Sequence, residues 1–379
     1  MVNDAVKVDL ASRPEKPVLV LQGGGALGAY QAGVYEELAK RGFNPEWIAG
    51  ISIGAINAAI IAGNPVDKRD ERLREFWDYI SGDLVGEALF PKGRARTVYN
   101  EVSSAYAAVF GLRGFFQPRF PPAFLQPAGS IQALSHYDTG PLKATLERLV
   151  DFDLINSKAV RFSVGAVNVK TGNFIFFDNE HQRIGPEHIM ASGALPPGFP
   201  PIEIDGEFYW DGGIVSNTPL QYVLDDGLHE DMLIFQLDLF NARGELPRTM
   251  QEVTQREKDI RFSSRTRLNT DEFKRLQSLR ARLNHFLHRL PDELKDDPDA
   301  RALLQASTSK AVSIVHLIYR SAHYETQSKD YEFSRKSVND HWSAGQADVR
   351  RTLAHPLWCN RSRPEAGIAV FDLTRDSSE

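Results

Sequence analysis

The feature that most limits the fold lies between Val18 and Tyr30, where the chain reads VLVLQGGGALGAY. An apolar, β-branched run of this kind is buried on both faces when it forms an inner strand of a parallel sheet. It stops at three glycines, and the chain then turns amphipathic. Ala29, Val34, Leu38 and Ala39 fall near helical spacing, and Gly42 sits where a C-cap belongs. WIAGIS, residues 47–52, reads as a second strand, and IGAINAAIIAG, residues 53–63, as a small-residue helix ended by Gly63. Strand, helix, strand, helix at this tempo predicts an α/β fold on a mainly parallel sheet flanked by helices.

Glycines after a strand let a backbone approach negative charge closely, and three chemistries compete for GGGALG. The string has the G-x-G-x-x-G form of a dinucleotide fingerprint, which needs an acidic residue about 20 positions on. Glu46 is a poor candidate because it precedes the second strand. The string also has the glycine spacing of a P-loop, but Ala29 and Tyr30 stand where Lys and Ser/Thr are required. The third chemistry depends on GISIG, Gly50 to Gly54, which matches the G-x-S-x-G nucleophile elbow. By itself Ser52 could equally be a helix N-cap. Two such turns side by side constrain each other. Ser52 would project at the carboxyl end of the sheet over a helix N-terminus, and the N–H groups of the neighbouring glycine loop could donate to a transient oxyanion.

A serine nucleophile needs a base. His181, His188 and His229 are the nearest in sequence to the second candidate site, and none sits in a motif. Asp211 lies in EFYWDGGIVSNTPL. Asp-Gly is a common hairpin turn, yet an aspartate behind FYW would be partly desolvated, which raises its proton affinity towards that of a base.

In this order and spacing GGGALG, GISIG and DGG resemble the patatin-like phospholipase family, as does the run ASGALPPGFPPIEIDGEFYWDGG leading into the aspartate. The resemblance covers roughly Lys16 to Phe240. It implies a three-layer α/β core and a serine esterase of the phospholipase A or lysophospholipase type, with a Ser-Asp dyad acting through an acyl-enzyme. By position, Ser52 is the nucleophile, Asp211 the base, and the backbone around Gly24, Gly25 and Ala26 the oxyanion hole. Gly23, Gly28, Gly50, Gly54, Gly212 and Gly213 complete the motifs. The third motif departs from the family's common DGA by a second glycine, which keeps a small residue beside the base. Two other readings stay open: a Ser-His-Asp α/β-hydrolase using His316 or His323, and a non-catalytic module holding a dinucleotide or lipid on the glycine loop.

Around the motifs, residues 1–16 read as a disordered lead-in and 17–245 as the catalytic domain. VRFSVGAVNVKTGNFIFFDN reads as a hairpin and MLIFQLDLF as a further buried strand. Near Asn241 the composition changes, and residues 246–379 read as a mainly helical extension, similar to one in a bacterial subgroup of the family and of unassigned role. Within it, residues 256–290 carry ten Lys or Arg against four Asp or Glu, with apolar residues at helical spacing from Phe273 to Leu290. They read as a docked helix with a solvated basic face, or as an interfacial helix drawn to anionic lipid. A helix over 334–352 is expected to pack through Phe333, Val338, Trp342 and Leu353.

The stretch FGLRGFFQPRFPPAFLQPAG, Phe110 to Gly129, is too rich in proline for a regular element and too apolar for an idle loop. With Arg261, Arg265, Arg267, Lys274 and Arg275 it suggests transient contact with a membrane surface; the alternative is packing under the extension. A net charge of −6 gives no global signal for nucleic acid. The single cysteine, Cys359, fits a reducing compartment. The polar N-terminus lacks the core of a signal peptide, and no apolar run nears the ~18 residues that cross a bilayer. A cytoplasmic protein is expected. No cofactor or metal is expected, because no Cys/His cluster has ligand spacing.

Overall fold

A computed structural model describes residue 10 and residues 14–81, 93–227, 230–263, 266–320 and 325–374. Its centre is a nine-stranded sheet. The strands are β1 (Lys16–Leu21), β2 (Trp47–Gly50), β3 (Arg161–Asn168), β4 (Phe174–Asp178), β5 (Ile202–Ile204), β6 (Glu207–Asp211), β7 (Met232–Asp238), β8 (Val312–Ile318) and β9 (Ile368–Asp372). The order is β9-β8-β7-β1-β2-β3-β6-β5, with β4 also on β3. From β9 to β3 every neighbouring pair is parallel; β4, β6 and β5 are antiparallel additions.

The alternation in VLVL divides the core. Val18 and Val20 point to one face, against Ile234, Leu224 and Phe273. Leu19 and Leu21 point to the other, where α1 (Gly28–Ala39) and α2 (Ile53–Ala62) lie. Two apolar faces on one sheet need a helical layer on each side, and this gives the three-layer core. The 161–178 hairpin forms as expected, β3 against β4.

Beyond residue 245 the chain is mainly helical, as expected, with two features the sequence did not announce. First, β8 and β9 extend the parallel sheet past β7, so the sheet crosses the compositional boundary. VSIVHLI carries the branched residues of an inner strand, but its largely helical surroundings hide them. Second, the 256–290 segment is not one helix. α4 (Met250–Phe262) ends at Ser263, whose extended backbone (ψ 141°) and hydroxyl, donating to the Ile260 carbonyl at 2.7 Å, close it. α5 (Thr266–Leu287) then starts separately, with Phe273 and Leu287 buried but Leu276, Leu279 and Phe286 exposed.

The last long helix, α6 (Arg335–Ala354), packs as expected, with Phe333, Val338, Trp342 and Leu353 buried. It crosses α1 at Gly33 and Gly345. A Cβ on Gly33 would stand 2.0 Å from the Trp342 carbonyl oxygen, and one on Gly345 2.3 Å from that of Tyr30, so only glycine permits this approach. Most of the expected disordered lead-in lies outside the described residues. Leu10 within it is buried, its N–H donating to the Arg41 carbonyl at 3.0 Å.

Candidate active site

Ser52 sits between β2 and α2 with φ 55° and ψ −124°. A side chain in this region costs about 1–3 kcal/mol and persists only when the surroundings fix it. Here they do. The Ser52 N–H donates to Ser192 Oγ at 3.0 Å, and Ser192 Oγ donates to the Gly165 carbonyl at 2.7 Å. Close under the turn, a Cβ on Gly54 would stand 2.5 Å from the Leu21 carbonyl oxygen. Strand-to-helix turns this tight aim the side chain away from the sheet, and Ser52 is half-buried at the floor of a cavity.

Strand register brings Asp211 to Ser52. β2 occupies one edge of β3 up to Gly50, opposite Val164, while β4 covers the other edge. β6 enters the lane of β2 from beyond its carboxyl end, antiparallel, and places Asp211 opposite Ala166. The two motifs therefore meet head-on although 159 residues separate Ser52 from Asp211. Asp211 is buried, lines the same cavity floor as Ser52, and accepts the Gly213 N–H at 2.6 Å. Burial pushes its carboxyl up to about 7, against a smaller opposing pull from the Ser52 hydroxyl and the Gly213 N–H.

The glycine loop lies beside this pair. Gly23 faces Asn217 and Ser52, and Gly28 backs onto Ile53 and Trp77. Gly50 packs under Gly54, Gly212 on the Gly165 carbonyl, and Gly213 beside Asn217 and Asp211. Gly25 has φ 54°, and Gly24 and Gly25 are partly open to the cavity. At Ala26 the structure differs from the expected three-donor hole: its N–H already donates to the Asp330 carbonyl at 2.7 Å. Among the described residues, the N–H groups of Gly24 and Gly25 have no protein acceptor.

The cavity above Ser52 holds about 370 Å³. Ile56, Phe115, Phe116, Leu142, Phe199 and Phe333 supply apolar wall, and no histidine among the described residues lines it. His181 is exposed, and His188 is buried beside Phe177, its ring at the Gly185 backbone. His316 lies in β8, and His229 and His323 fall outside the described residues.

The sequence model of the family described as patatin-like phospholipase matches residues 19–224, more than half of the chain. The chain belongs to the patatin-like phospholipase family. A second model, described as patatin phospholipase, matches residues 260–365. Among curated proteins the chain is similar to a cGAMP-activated phospholipase of Escherichia coli, 24% identical over 223 residues, which is 56% of each chain. The chain thus spans little more than half the length of that relative. Among solved structures, VipD from Legionella pneumophila matches at 15% identity and TM-score 0.36, covering 90% of this chain and 67% of that one. ExoU, in its complex with SpcU from Pseudomonas aeruginosa, matches at 16% and 0.29, covering 76% and 58%.

Three residues that hold the family's motifs together were not singled out by sequence. The ASGALPP run bridges the pair: Ser192 fixes the Ser52 amide, and the Ala194 carbonyl accepts the Asp211 N–H at 3.0 Å. Asn217, just after DGG, donates from Nδ2 to the Gly23 carbonyl at 2.9 Å and accepts the Gly23 N–H on its own carbonyl at 3.2 Å. Gln22 is fully buried and ties β1 to β7 by accepting the Leu239 and Phe240 N–H groups. Each is a polar residue inside an otherwise apolar motif flank, and that was the available signal.

Proposed function

We propose that the protein is a lipid acyl hydrolase that cleaves carboxylic esters through Ser52 and Asp211. The observation that carries the reading is the placement of the pair, a serine on a left-handed turn beside a buried carboxyl at the floor of one apolar cavity, the carboxyl pushed up to about 7 by burial. A carboxylate near the working pH can take the serine proton as Oγ attacks the ester carbonyl carbon. The tetrahedral oxyanion would accept from the Gly24 and Gly25 amides. As the intermediate collapses, Asp211 returns the proton to the leaving alkoxide. Water then attacks the acyl-enzyme, giving its proton to Asp211, and Ser52 recovers it as the fatty acid leaves.

The apolar walls favour an acyl chain, and the outer surface suits a substrate that lies in a membrane. The aromatic loop is divided. Phe115 and Phe116 are buried in the cavity wall, while Phe120 and Phe124 are 96% and 83% exposed. Val98, Val102, Tyr106 and Val109 on α3 (Gly93–Phe110) are exposed too, one face of a helix whose Ala107 and Ala108 line the cavity. From Ser103 to Tyr137 there is no acidic residue. Such a surface fits transient contact with lipid beside the cavity mouth. Of the basic residues expected to help from the 256–290 segment, Arg265 and the Arg267 side chain lie outside the described residues, and Arg275 pairs with Glu272 at 2.5 Å. Among the described residues no helix is long and apolar enough to cross a membrane.

The test is hydrolysis of a panel of phospholipids, lysophospholipids and neutral esters by wild type and Ser52→Ala. Loss of all turnover in a folded Ser52→Ala, with a fluorophosphonate labelling Ser52 alone, is the expected result. Turnover that survives the substitution refutes the proposal.

A further inference from the structure

The region beyond residue 245 grips the glycine loop at two separate points. At the first, the Phe262 carbonyl ending α4 accepts from Gln22 Nε2 at 3.1 Å and from Asn217 Nδ2 at 3.0 Å. Both side chains hold the loop at its start, on either side of the Gly23 amide. At the second, the Asp330 carbonyl accepts the Ala26 N–H and lies so close to Gly25 that a Cβ there would stand 1.9 Å away. The strap carrying Asp330 is held to α4 by a crossed pair of charges. Lys258 pairs with Asp330 and donates to the Gln327 carbonyl at 3.0 Å, and Lys329 pairs with Asp259 at 2.6 Å. Lys329 and Asp259 are largely buried, where pairs are less screened than at an open surface. Asp330 itself lines the cavity, as do Tyr331 and Phe333 further along.

We infer that the Lys329–Phe333 strap, latched to α4 by Lys258 and Asp259, is a positioning element that sets the direction of the Gly24 and Gly25 amides. The inference rests on the proposed reading of those two amides as oxyanion donors. Peptide planes in a glycine run rotate easily, so two donors aimed at one point need both ends of the run fixed. Asn217 and Phe262 fix the Gly23 end, and Asp330 fixes the Ala26 end. The third N–H is thus spent on orientation rather than on the oxyanion. Asp330 meets the glycine loop through its backbone carbonyl, and Lys258, which does not line the cavity, acts on the loop through Asp330.

The experiment uses the full chain with a soluble short-chain ester, and compares Lys258→Met, Asp330→Asn and the charge-reversed pair Lys258→Asp with Asp330→Lys. For the single variants, kcat should fall at least ~10-fold, short of the ~100-fold that loss of one whole oxyanion donor costs. KM and the pH midpoint of kcat/KM should stay at wild-type values, and the rate of Ser52 phosphonylation should fall in step with kcat. The reversed pair should recover most of the loss. Far-UV circular dichroism and thermal midpoints identify any variant that fails to fold, and Asp330→Asn, which keeps size and most packing, is the mildest of the set. Folded single variants with kcat at or above the wild-type value would overturn the inference, an increase making the strap a restraint. A loss of kcat matched by a rise in KM would also overturn it, because a wall and not a donor would have moved. If Ser52→Ala retains turnover, the proposed function fails first; if turnover depends on Ser52 yet ignores the latch, only this inference fails.

Discussion

Replacing Asp211 by Asn separates catalysis from stability in a way the structure makes quantitative. Asp211 is fully buried, and burial raises its carboxyl from the ordinary 3.8 to about 7. A base must be ionised to act, so at pH 6 about one molecule in ten is competent and at pH 8 about nine in ten. kcat/KM should therefore rise about tenfold across that range, with one ionisation near 7. The stability effect has the opposite sign. The folded state holds this proton more tightly than the unfolded chain, so the group's contribution is fully present below 3.8 and is lost as pH rises through about 7. A displacement from 3.8 to about 7 corresponds to about 4 kcal/mol of folding free energy surrendered at alkaline pH. Asn cannot ionise, and its Oδ1 can still accept the Gly213 N–H, so Asp211→Asn escapes that loss. Its advantage in stability over wild type should grow by about 2 kcal/mol between pH 5.5 and pH 8, read as a widening gap in denaturant midpoint. Activity should fall at least ~100-fold. A wild-type profile flat from pH 5 to pH 8, or a stability gap that does not depend on pH, would refute the reasoning.

Other substitutions probe the supports. Ser192→Ala removes the acceptor of the Ser52 N–H and a donor to Gly165, so a loss of about 1–3 kcal/mol in stability and a lower kcat are expected from urea unfolding and ester kinetics. Exchanging Phe120 and Phe124 together for Ser should weaken co-sedimentation with phospholipid vesicles while leaving soluble-ester kcat/KM unchanged; unaltered binding would remove that loop from the membrane contact.

Much of this was legible in the sequence because it is local. β1, α1, β2 and α2 follow from apolar period and glycine position, and Ser52 from five adjacent residues. The FYW context singled out Asp211 as a base candidate, but its pairing with Ser52 came from the family resemblance, since their meeting depends on β6 entering the lane of β2. What the sequence hid are contacts between distant segments. Gln22 reaches Thr218 and Phe262 across 196 and 240 residues. The Ala26 amide, which by position looks like a third donor, is engaged by a carbonyl that no side-chain pattern announces. β8 escaped notice because a short branched run with a serine and a histidine, set among helical segments, does not announce which strand it will join.

The place of β8 in the sheet bears on how the chain is made. β7 is buried along its whole length, with β1 on one side and β8 on the other. When Asp238 has left the ribosome, β7 can pair with β1, but its other edge stays bare until Ile318 has been synthesised. At about 5–20 residues per second that takes roughly 4–16 s. Throughout that interval the nascent chain presents an apolar strand with free backbone donors and acceptors, the kind of edge that captures strands from neighbouring chains. Slower growth temperature or a holding chaperone should therefore raise the yield of folded protein, and a gene cut after residue 245 would fix the newborn chain in its most adhesive state.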